Sequence, residues 1–481
     1  MIDNLEPRHV WGHFDRIRQI PRPSKHEEKI REHLLAWARE RGFETRTDKV
    51  GNTVVAVPAS KGHEQAPILV LQAHMDMVCE KNADVKFDFS RDPIQLRTEG
   101  DWLHARGTTL GADNGVGMAS AMAIVDDPDA VHGPLEILIT VDEETGLTGA
   151  MQLDPSMVKG RRLLNLDTEE LNAIYIGCSG GGNSEITIPV AREDASGNGV
   201  FLEVRITGLR GGHSGMDIVL QRGNAVQALA RCIAKGSSGA KTRLASIEGG
   251  SAHNAIPREA FAVVAVQQAL KDAFERAVRD EAAAIKEELG AADPEFTVEV
   301  RPATQTRVLD AESQRRVLAA LLALPHGVAA MSLDVPGLVE TSNNLAAVHT
   351  DDNAVRVLVS VRSSIRSALM ALRARVQSVA ELAGATVAHN DAYPGWKPNL
   401  KSEVLAATQR VHERALGQKA ELKAVHAGLE CGVIGEKLPG MDMVSIGPWI
   451  ESPHSPSERV NIPSVATFWK FLKALVKELA S

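Results

Sequence analysis

Acidic and histidine side chains close a series of apolar runs in this chain, and their placement is the first thing that could do chemistry. Ile68–Leu71 runs into Gln72-Ala73-His74-Met75-Asp76, Leu135–Val141 into Asp142-Glu143-Glu144, and Leu163–Leu166 into Asp167. A polar turn, Gly111-Ala112-Asp113-Asn114-Gly115, and a proline-rich loop, Ser452-Pro453-His454-Ser455-Pro456, add further donors. Two imidazoles and several carboxylates brought together describe a site for borderline-hard divalent cations, with zinc favoured by the histidines. A lone histidine or Asp-Glu-Glu run is ordinarily solvated surface, and among 16 histidines some fall near carboxylates by accident. Joint placement after apolar strands or in Gly/Pro-rich loops separates this set from that background.

Physical need distributes the roles. Two cations a few ångströms apart repel each other, so a carboxylate must bridge them, and Asp113 on its glycine-flanked turn is the candidate. Each cation then takes one imidazole, His74 or His454, and one further carboxylate, from the Glu143-Glu144 pair or Asp167. The glutamate of that pair left without a metal can take a proton from an activated water and return it to a leaving amine. Asp76, two residues beyond His74, can accept the second ring N–H and fix the tautomer.

Such residues need a scaffold, and the pattern around them is that of alternating strands and helices. The spacing in 24–42 predicts a helix, capped by Ser24 and stopped by Gly42. Thr53–Val57, Ile68–Leu71, Leu135–Val141 and Leu163–Leu166 read as strands. The last three are almost entirely apolar, as parallel strands covered on both faces are. Ligand sites in such sheets lie at the carboxyl ends of the strands, where the acidic and histidine residues fall. Gly180–Gly182 reads as flexible punctuation, and Tyr393–Pro398 as a second break. Between them a strand at Val200–Thr207 leads to a helix at Asn224–Ala234. A strand at Ala354–Ser360 leads to a helix at Ser367–Ala383, an order that suggests an internal duplication. The tail returns to α/β character with a helix over 402–416, a strand at Met443–Ile446 and a final helix over 463–480. The expected fold is an α/β catalytic domain made from residues 1–185 and 395–481, interrupted by an inserted α+β domain over 186–394.

Bulk composition is that of an ordinary soluble chain: 481 residues, 44% hydrophobic, 24% charged and 4% aromatic, with a net charge of −9. No Lys/Arg run argues for a nucleic-acid surface. No apolar stretch approaches the ~18 uncharged residues of a membrane span. The N-terminus lacks the apolar core of a signal peptide. Cys79, Cys178, Cys232 and Cys431 lack metal-site or framework spacing, so reduced thiols and a cytoplasmic location are expected.

The segments LQAHMDMVCEKN (71–82), RGTTLGADNGVG (106–117), TVDEETGLTGA (140–150), LNLDTEE (164–170) and SPHSP (452–456) resemble the signature blocks of aminoacyl-histidine dipeptidases. These are also called cytosolic non-specific or Xaa-His dipeptidases, within the two-zinc clan that includes carnosinases and tripeptidases. The resemblance runs from His74 to the C-terminal helix. It implies a discontinuous two-zinc exopeptidase-like domain with an inserted lid, holding two divalent metal ions, zinc first and cobalt or manganese as alternatives. It implies His74, Asp113, Glu144, Asp167 and His454 as ligands, Glu143 as general base and Asp76 as the orienter of the His74 ring. The order within Glu143-Glu144 rests on the resemblance alone. GLRGGHSG (208–215) resembles the lid motif whose histidine, here His213, stabilises the oxyanion. Arg362 in VSVRSS matches the arginine that pairs with the substrate's C-terminal carboxylate. Asn254 in SAHNAIP and Gly428 in HAGLECG are substrate-contact candidates or turn residues. Glu430 reads the substrate's amino terminus or serves a buried structural role. The implied partner is a small peptide. A homodimer is open too, because shorter-lidded relatives take the His213 equivalent from a partner subunit, whereas a duplicated lid could serve its own site.

Two other functions fit parts of the pattern. An N-acyl-amino-acid deacylase would share the metal pair but present an apolar slot where a dipeptidase needs an anion. A non-catalytic metal-binding scaffold would be expected to have lost the base, yet Glu143 and all five ligand candidates are present.

Overall fold

Leu69–His74 and Leu135–Thr140 are buried at every position, and Leu164 and Asn165 close Arg162–Asn165 in the same way. Runs of that kind need cover on both faces, and they pair as the parallel centre of an eight-stranded sheet. Across this sheet the order is Glu44–Thr47, Thr53–Val57, Leu135–Thr140, Leu69–His74, Arg162–Asn165, Asp442–Ser445, Ala173–Cys178 and Glu421–Val425. The strand Asp442–Ser445 joins Arg162–Asn165 in parallel, so the C-terminal part of the chain completes the sheet begun by the N-terminal part. Helices pack against it, among them the almost wholly buried Ala112–Asp126 and the helix Glu403–Leu416, the latter covered in turn by the apolar-faced Ile462–Leu479. This computed structural model describes residues 2, 4–195, 199–390 and 392–481.

The chain divides into two compact units. The first comprises Met1–Cys178, Trp396–Ala424 and Leu429–Ser481, and the second Ser179–Gly395 with Val425–Gly428. The second unit is built on a nine-stranded sheet. One half runs Gly199–Thr207, helix Ala225–Ser238, Thr242–Gly249, Ala260–Gln267, helix Lys271–Leu289, Thr297–Ala303. The other runs Gly180–Pro189, helix Ala311–Ala323, Val339–Thr350, Ala354–Ser363, helix Arg366–Leu382, Thr386–His389, with Gly327–Met331 added at its edge. Both halves read strand–helix–strand–strand–helix–strand, and the sheet places their strands in mirrored order about the Thr242–Gly249/Val339–Thr350 pair. The unit is therefore duplicated, but not through the expected pair: Gly199–Thr207 and its helix correspond to Gly180–Pro189 and Ala311–Ala323, whereas Ala354–Ser363 and its helix correspond to Ala260–Gln267 and Lys271–Leu289.

Two local expectations are corrected. The helix near the N-terminus spans Glu28–Glu40, with Glu27 at its N-cap and no side-chain cap. Ser24 is not the cap, because its hydroxyl donates to Asp76 Oδ2 at 2.7 Å. Gly180–Gly182 is not flexible punctuation but the buried start of the strand Gly180–Pro189. A Cβ on Gly180 would stand 2.5 Å from Tyr393 O, and one on Gly181 2.5 Å from the Tyr393 hydroxyl. These glycines serve close backbone approach.

Asp126, the last residue of Ala112–Asp126, ties three helices together. Its oxygens accept from Arg41 Nε at 2.6 Å, Arg41 Nη2 at 2.7 Å, His13 Nε2 at 3.0 Å and Trp37 Nε1 at 3.1 Å. Burial pushes its carboxyl up, but His13, Arg41 and Trp37 outweigh that and hold it well below the usual carboxylate range. A carboxyl lowered by folding adds stability above the unfolded value near 3.9 and loses it as pH falls toward the folded value. Asp126→Asn is expected to cost about 1–3 kcal/mol at pH 7 in chemical denaturation, and the gap from the parent should narrow below about pH 4. An equal gap at pH 7 and pH 3 would show that the charge contributes nothing.

Candidate metal centre

The parallel strands end where the chemistry begins. His74 is the last residue of Leu69–His74 and is 1% exposed. Asp142-Glu143-Glu144 follows Leu135–Thr140 by one residue, and Asp167 follows Arg162–Asn165 by one. Asp113 lies in the first turn of Ala112–Asp126, on extended rather than helical backbone. His454 comes from the loop between Ile450–Glu451 and Arg459–Asn461 and adopts a left-handed backbone with φ +58°.

Asp113 faces both imidazoles. Its Oδ1 is 3.1 Å from His74 Nε2 and its Oδ2 is 3.1 Å from His454 Nε2. Asp167 Oδ1 lies 3.5 Å from His74 Nε2, and Glu144 Oε2 3.0 Å from His454 Nε2. The set therefore sorts into His74 with Asp167, His454 with Glu144, and Asp113 shared, all five candidates brought together. Donor atoms of His74, Asp113 and Glu144 fall within 4.8 Å of one another. Glu144 Oε1 is buried without a hydrogen-bond partner, a state that is costly unless something positive meets it. Nitrogen and oxygen donors in this grouping fit two divalent cations of the zinc type.

The electrostatics agree. His454 is pushed up to about 11 by Asp113 and Glu144. Burial opposes a charge on His74, yet Asp167 and Asp113 raise it well above an ordinary imidazole. Burial likewise opposes ionisation of Asp113, but His454 and His74 hold it far below the usual range. Burial lifts Asp167 to about 6. The pocket favours positive charge at the place where its donors converge.

Asp76 does more than orient a ring. Its Oδ1 is 3.3 Å from His74 Nδ1 and accepts the Glu143 N–H at 3.1 Å, while Oδ2 accepts the Glu144 N–H at 3.2 Å. Burial pushes it up, but His74, Ser24 and that N–H keep it at about 2. The preceding N–H, of Asp142, donates to Glu27 Oε1 at 3.0 Å. Two buried carboxylates thus hold the Asp142–Glu144 backbone. Glu143 is raised well above an ordinary glutamate, first by burial and then by Asp167, Glu430 and Glu144. Glu430 is 1% exposed, accepts from Gln72 Nε2 at 2.6 Å and Thr140 Oγ1 at 2.7 Å, and is pushed up to about 8 by burial.

The other candidates belong to the second unit. His213 lies in the short strand Gly212–His213, and its Nδ1 accepts the N–H groups of Gly215 at 3.2 Å and Met216 at 3.0 Å. With Nδ1 an acceptor, the neutral ring carries its proton on Nε2. Burial and Arg362 both lower the His213 pKa. Arg362 is 7% exposed, donates from Nη1 to the Tyr393 hydroxyl at 3.3 Å, and has a buried Nε without a partner. His426, bonded to Ser342 Oγ at 2.8 Å, is pushed down to about 3 by burial and Arg362. Asn254 is exposed in a turn, where its carbonyl accepts the Ser214 N–H at 2.7 Å. Gly428 is half-buried in the loop after Glu421–Val425.

Sequence reasoning passed over several residues that shape these sites: Arg22, Glu27, Asn114, Tyr393, His426 and Glu458. Asn114 Nδ2 donates to Asp167 Oδ1 and, at 3.1 Å, to Leu166 O.

An α/β sheet with paired imidazoles and a shared carboxylate at its strand ends is the architecture of a two-cation hydrolase. The description of peptidase family M20/M25/M40 matches residues 70–478, and the chain belongs to that family. It is 40% identical over 479 residues to the cytosol non-specific dipeptidase of Escherichia coli strain K12, covering 99% of each chain. The crystal structure of an aminoacylhistidine dipeptidase from Vibrio alginolyticus superposes with a TM-score of 0.95 at 43% identity, over 99% of this chain and 98% of that one. Aminopeptidase PepT from Bacillus cereus shares the fold alone, with a TM-score of 0.57 at 17% identity over 99% of this chain and 100% of that one. Among the described residues no helix is long and apolar enough to cross a membrane, and all four cysteines are free.

Proposed function

We propose that this chain is a cytosolic metal-dependent dipeptidase that hydrolyses Xaa-His and other dipeptides at a two-zinc centre. The observation that carries the reading is Asp113, whose two oxygens face His74 and His454 separately while Asp167 and Glu144 complete the two donor groups. The names of the two full-length relatives support the substrate class. When bound, the cation pair supplies Lewis acidity that activates water and polarises the scissile carbonyl.

The residues of the chain do the rest. Glu143, its proton affinity raised by burial among carboxylates, takes the proton of the attacking water and delivers it to the leaving amine. Asp76 holds both the His74 ring and the backbone that aims Glu143. His213, its proton fixed on Nε2 by the two N–H groups at Nδ1, donates to the developing oxyanion. Arg362, buried with an unpartnered Nε, pairs with the C-terminal carboxylate of the dipeptide. Asn254 and Gly428 complete the substrate contacts.

A panel of dipeptides, tripeptides and N-acetyl amino acids, assayed before and after chelation, tests the reading. Dipeptides including Xaa-His should be cleaved, the other two classes poorly, and chelation should abolish turnover until zinc, cobalt or manganese is restored. Turnover that survives complete metal removal would sink the mechanism. Preference for acetylated substrates would make the chain a deacylase.

A further inference from the structure

The turn that presents Asp113 is held from both sides by buried charge. Gly111 adopts a left-handed backbone with φ +70°, and the N–H groups of Leu110 to Asp113 converge at the head of Ala112–Asp126. Successive N–H groups at a helix start make a concavity for an anion. Here the anion is Glu458, 2% exposed. Its Oε2 accepts from Leu110 N at 2.7 Å and Gly111 N at 2.9 Å, and its Oε1 from Ala112 N at 2.7 Å and Asp113 N at 3.2 Å. On the carbonyl side stands Arg22, also 2% exposed. It donates to Gly111 O at 2.5 Å and to Met75 O and Asp76 O at 3.1 and 2.6 Å. A Cβ on Gly111 would come within 2.5 Å of the Arg22 guanidinium, and one on Gly115 within 2.8 Å, so glycine is required at both positions.

We infer that Glu458 and Arg22 are positioning residues that set the spacing of the two cation sites. Glu458 ties the Asp113 turn to the loop carrying His454, and Arg22 ties the same turn to the one following His74. Neither side chain makes a hydrogen bond to a donor atom of the five ligand candidates. Each instead fixes backbone from which ligands project, so ligands on a strand end, a helix start and a loop keep one geometry. This rests on the two-cation reading above and adds to it two residues whose loss alters the centre while leaving every ligand in place.

The test uses cobalt(II) titrated into the full-length apo chain and into two variants. In Glu458→Gln, whichever way the amide turns, its NH₂ must face two backbone N–H groups. In Arg22→Lys the charge remains, but a single ammonium lacks the planar fork that reaches both turns. Both variants are expected to keep the far-UV circular dichroism of the parent in the apo state. Cobalt affinity should fall by about 10–100-fold, the range for lost outer partners of metal ligands, and the visible cobalt absorption should shift. Parent-like affinity and absorption in either folded variant overturn the inference. So does loss of the folded apo chain in both, which would assign the pair to the fold itself. Failure of the dipeptidase reading is separable, because it appears as a parent chain that binds cobalt normally and cleaves no dipeptide.

Discussion

Glu143→Ala is expected to retain both metal equivalents and lose about 10³–10⁴-fold in kcat, at the upper end of what a positioned general base contributes. The expectation follows from what Glu143 does and does not touch. Its backbone N–H is held by Asp76, while the imidazoles contact Asp113, Asp167 and Glu144. Truncating its side chain therefore leaves the donor groups complete. The change removes a carboxylate whose proton affinity burial has lifted well above the ordinary glutamate range. A group lifted in that way can both accept a proton from water and give it up to an amine. Because it acts in the transition state, KM should move little and the loss should sit in kcat. Elemental analysis of the variant decides the assignment. Loss of a metal equivalent would mean that base and ligand are exchanged between Glu143 and Glu144.

The five ligand candidates could be picked out together because each has a positional signature. His74 ends a strand buried at every position, the Asp142–Glu144 run and Asp167 follow largely buried strands, and the carboxyl end of such a strand is where a parallel sheet opens. Asp113 and His454 sit among glycine and proline, which announce backbone shaped for a purpose. Glu458 and Arg22 carry no such mark, because their partners are main-chain groups present at every residue. Nothing in the types of Leu110 to Asp113 says that their N–H groups converge. Ser24 misled for a related reason. Its hydroxyl suits a helix cap, but Asp76, distant in sequence, offers it a charged acceptor, and tertiary contact won over local preference. Gly180–Gly182 misled because glycine serves both flexibility and close approach. Only the Tyr393 ring lying against Gly181 decides between them. The duplication in the second unit was matched to the wrong elements, since its second half begins at Gly180 and resumes only after the first half is complete, so the strand–helix pairs that look alike in order are not equivalent.

Asp113→Ala should show the opposite pattern, losing metal and activity together. Its carboxylate is the one donor shared by both groups, with an oxygen 3.1 Å from each imidazole. Without it, each cation retains one imidazole and one carboxylate, and the repulsion between the two cations is no longer offset by an anion between them. At least one equivalent should be lost on dialysis against metal-free buffer. Turnover should fall by about 10³-fold or more, since Lewis-acid stabilisation of the transition state amounts to several kcal/mol and each 1.36 kcal/mol is tenfold. Added zinc should restore little of it, whereas chelated parent enzyme should recover fully, and this contrast separates a lost ligand from a lost ion. The fold should survive, because the turn is held through the N–H and carbonyl groups of its backbone by Glu458 and Arg22, contacts an alanine at this position leaves in place. Two tightly held equivalents and parent-like turnover in Asp113→Ala would remove the shared carboxylate from the centre, and with it the pairing of His74 and His454 around two cations.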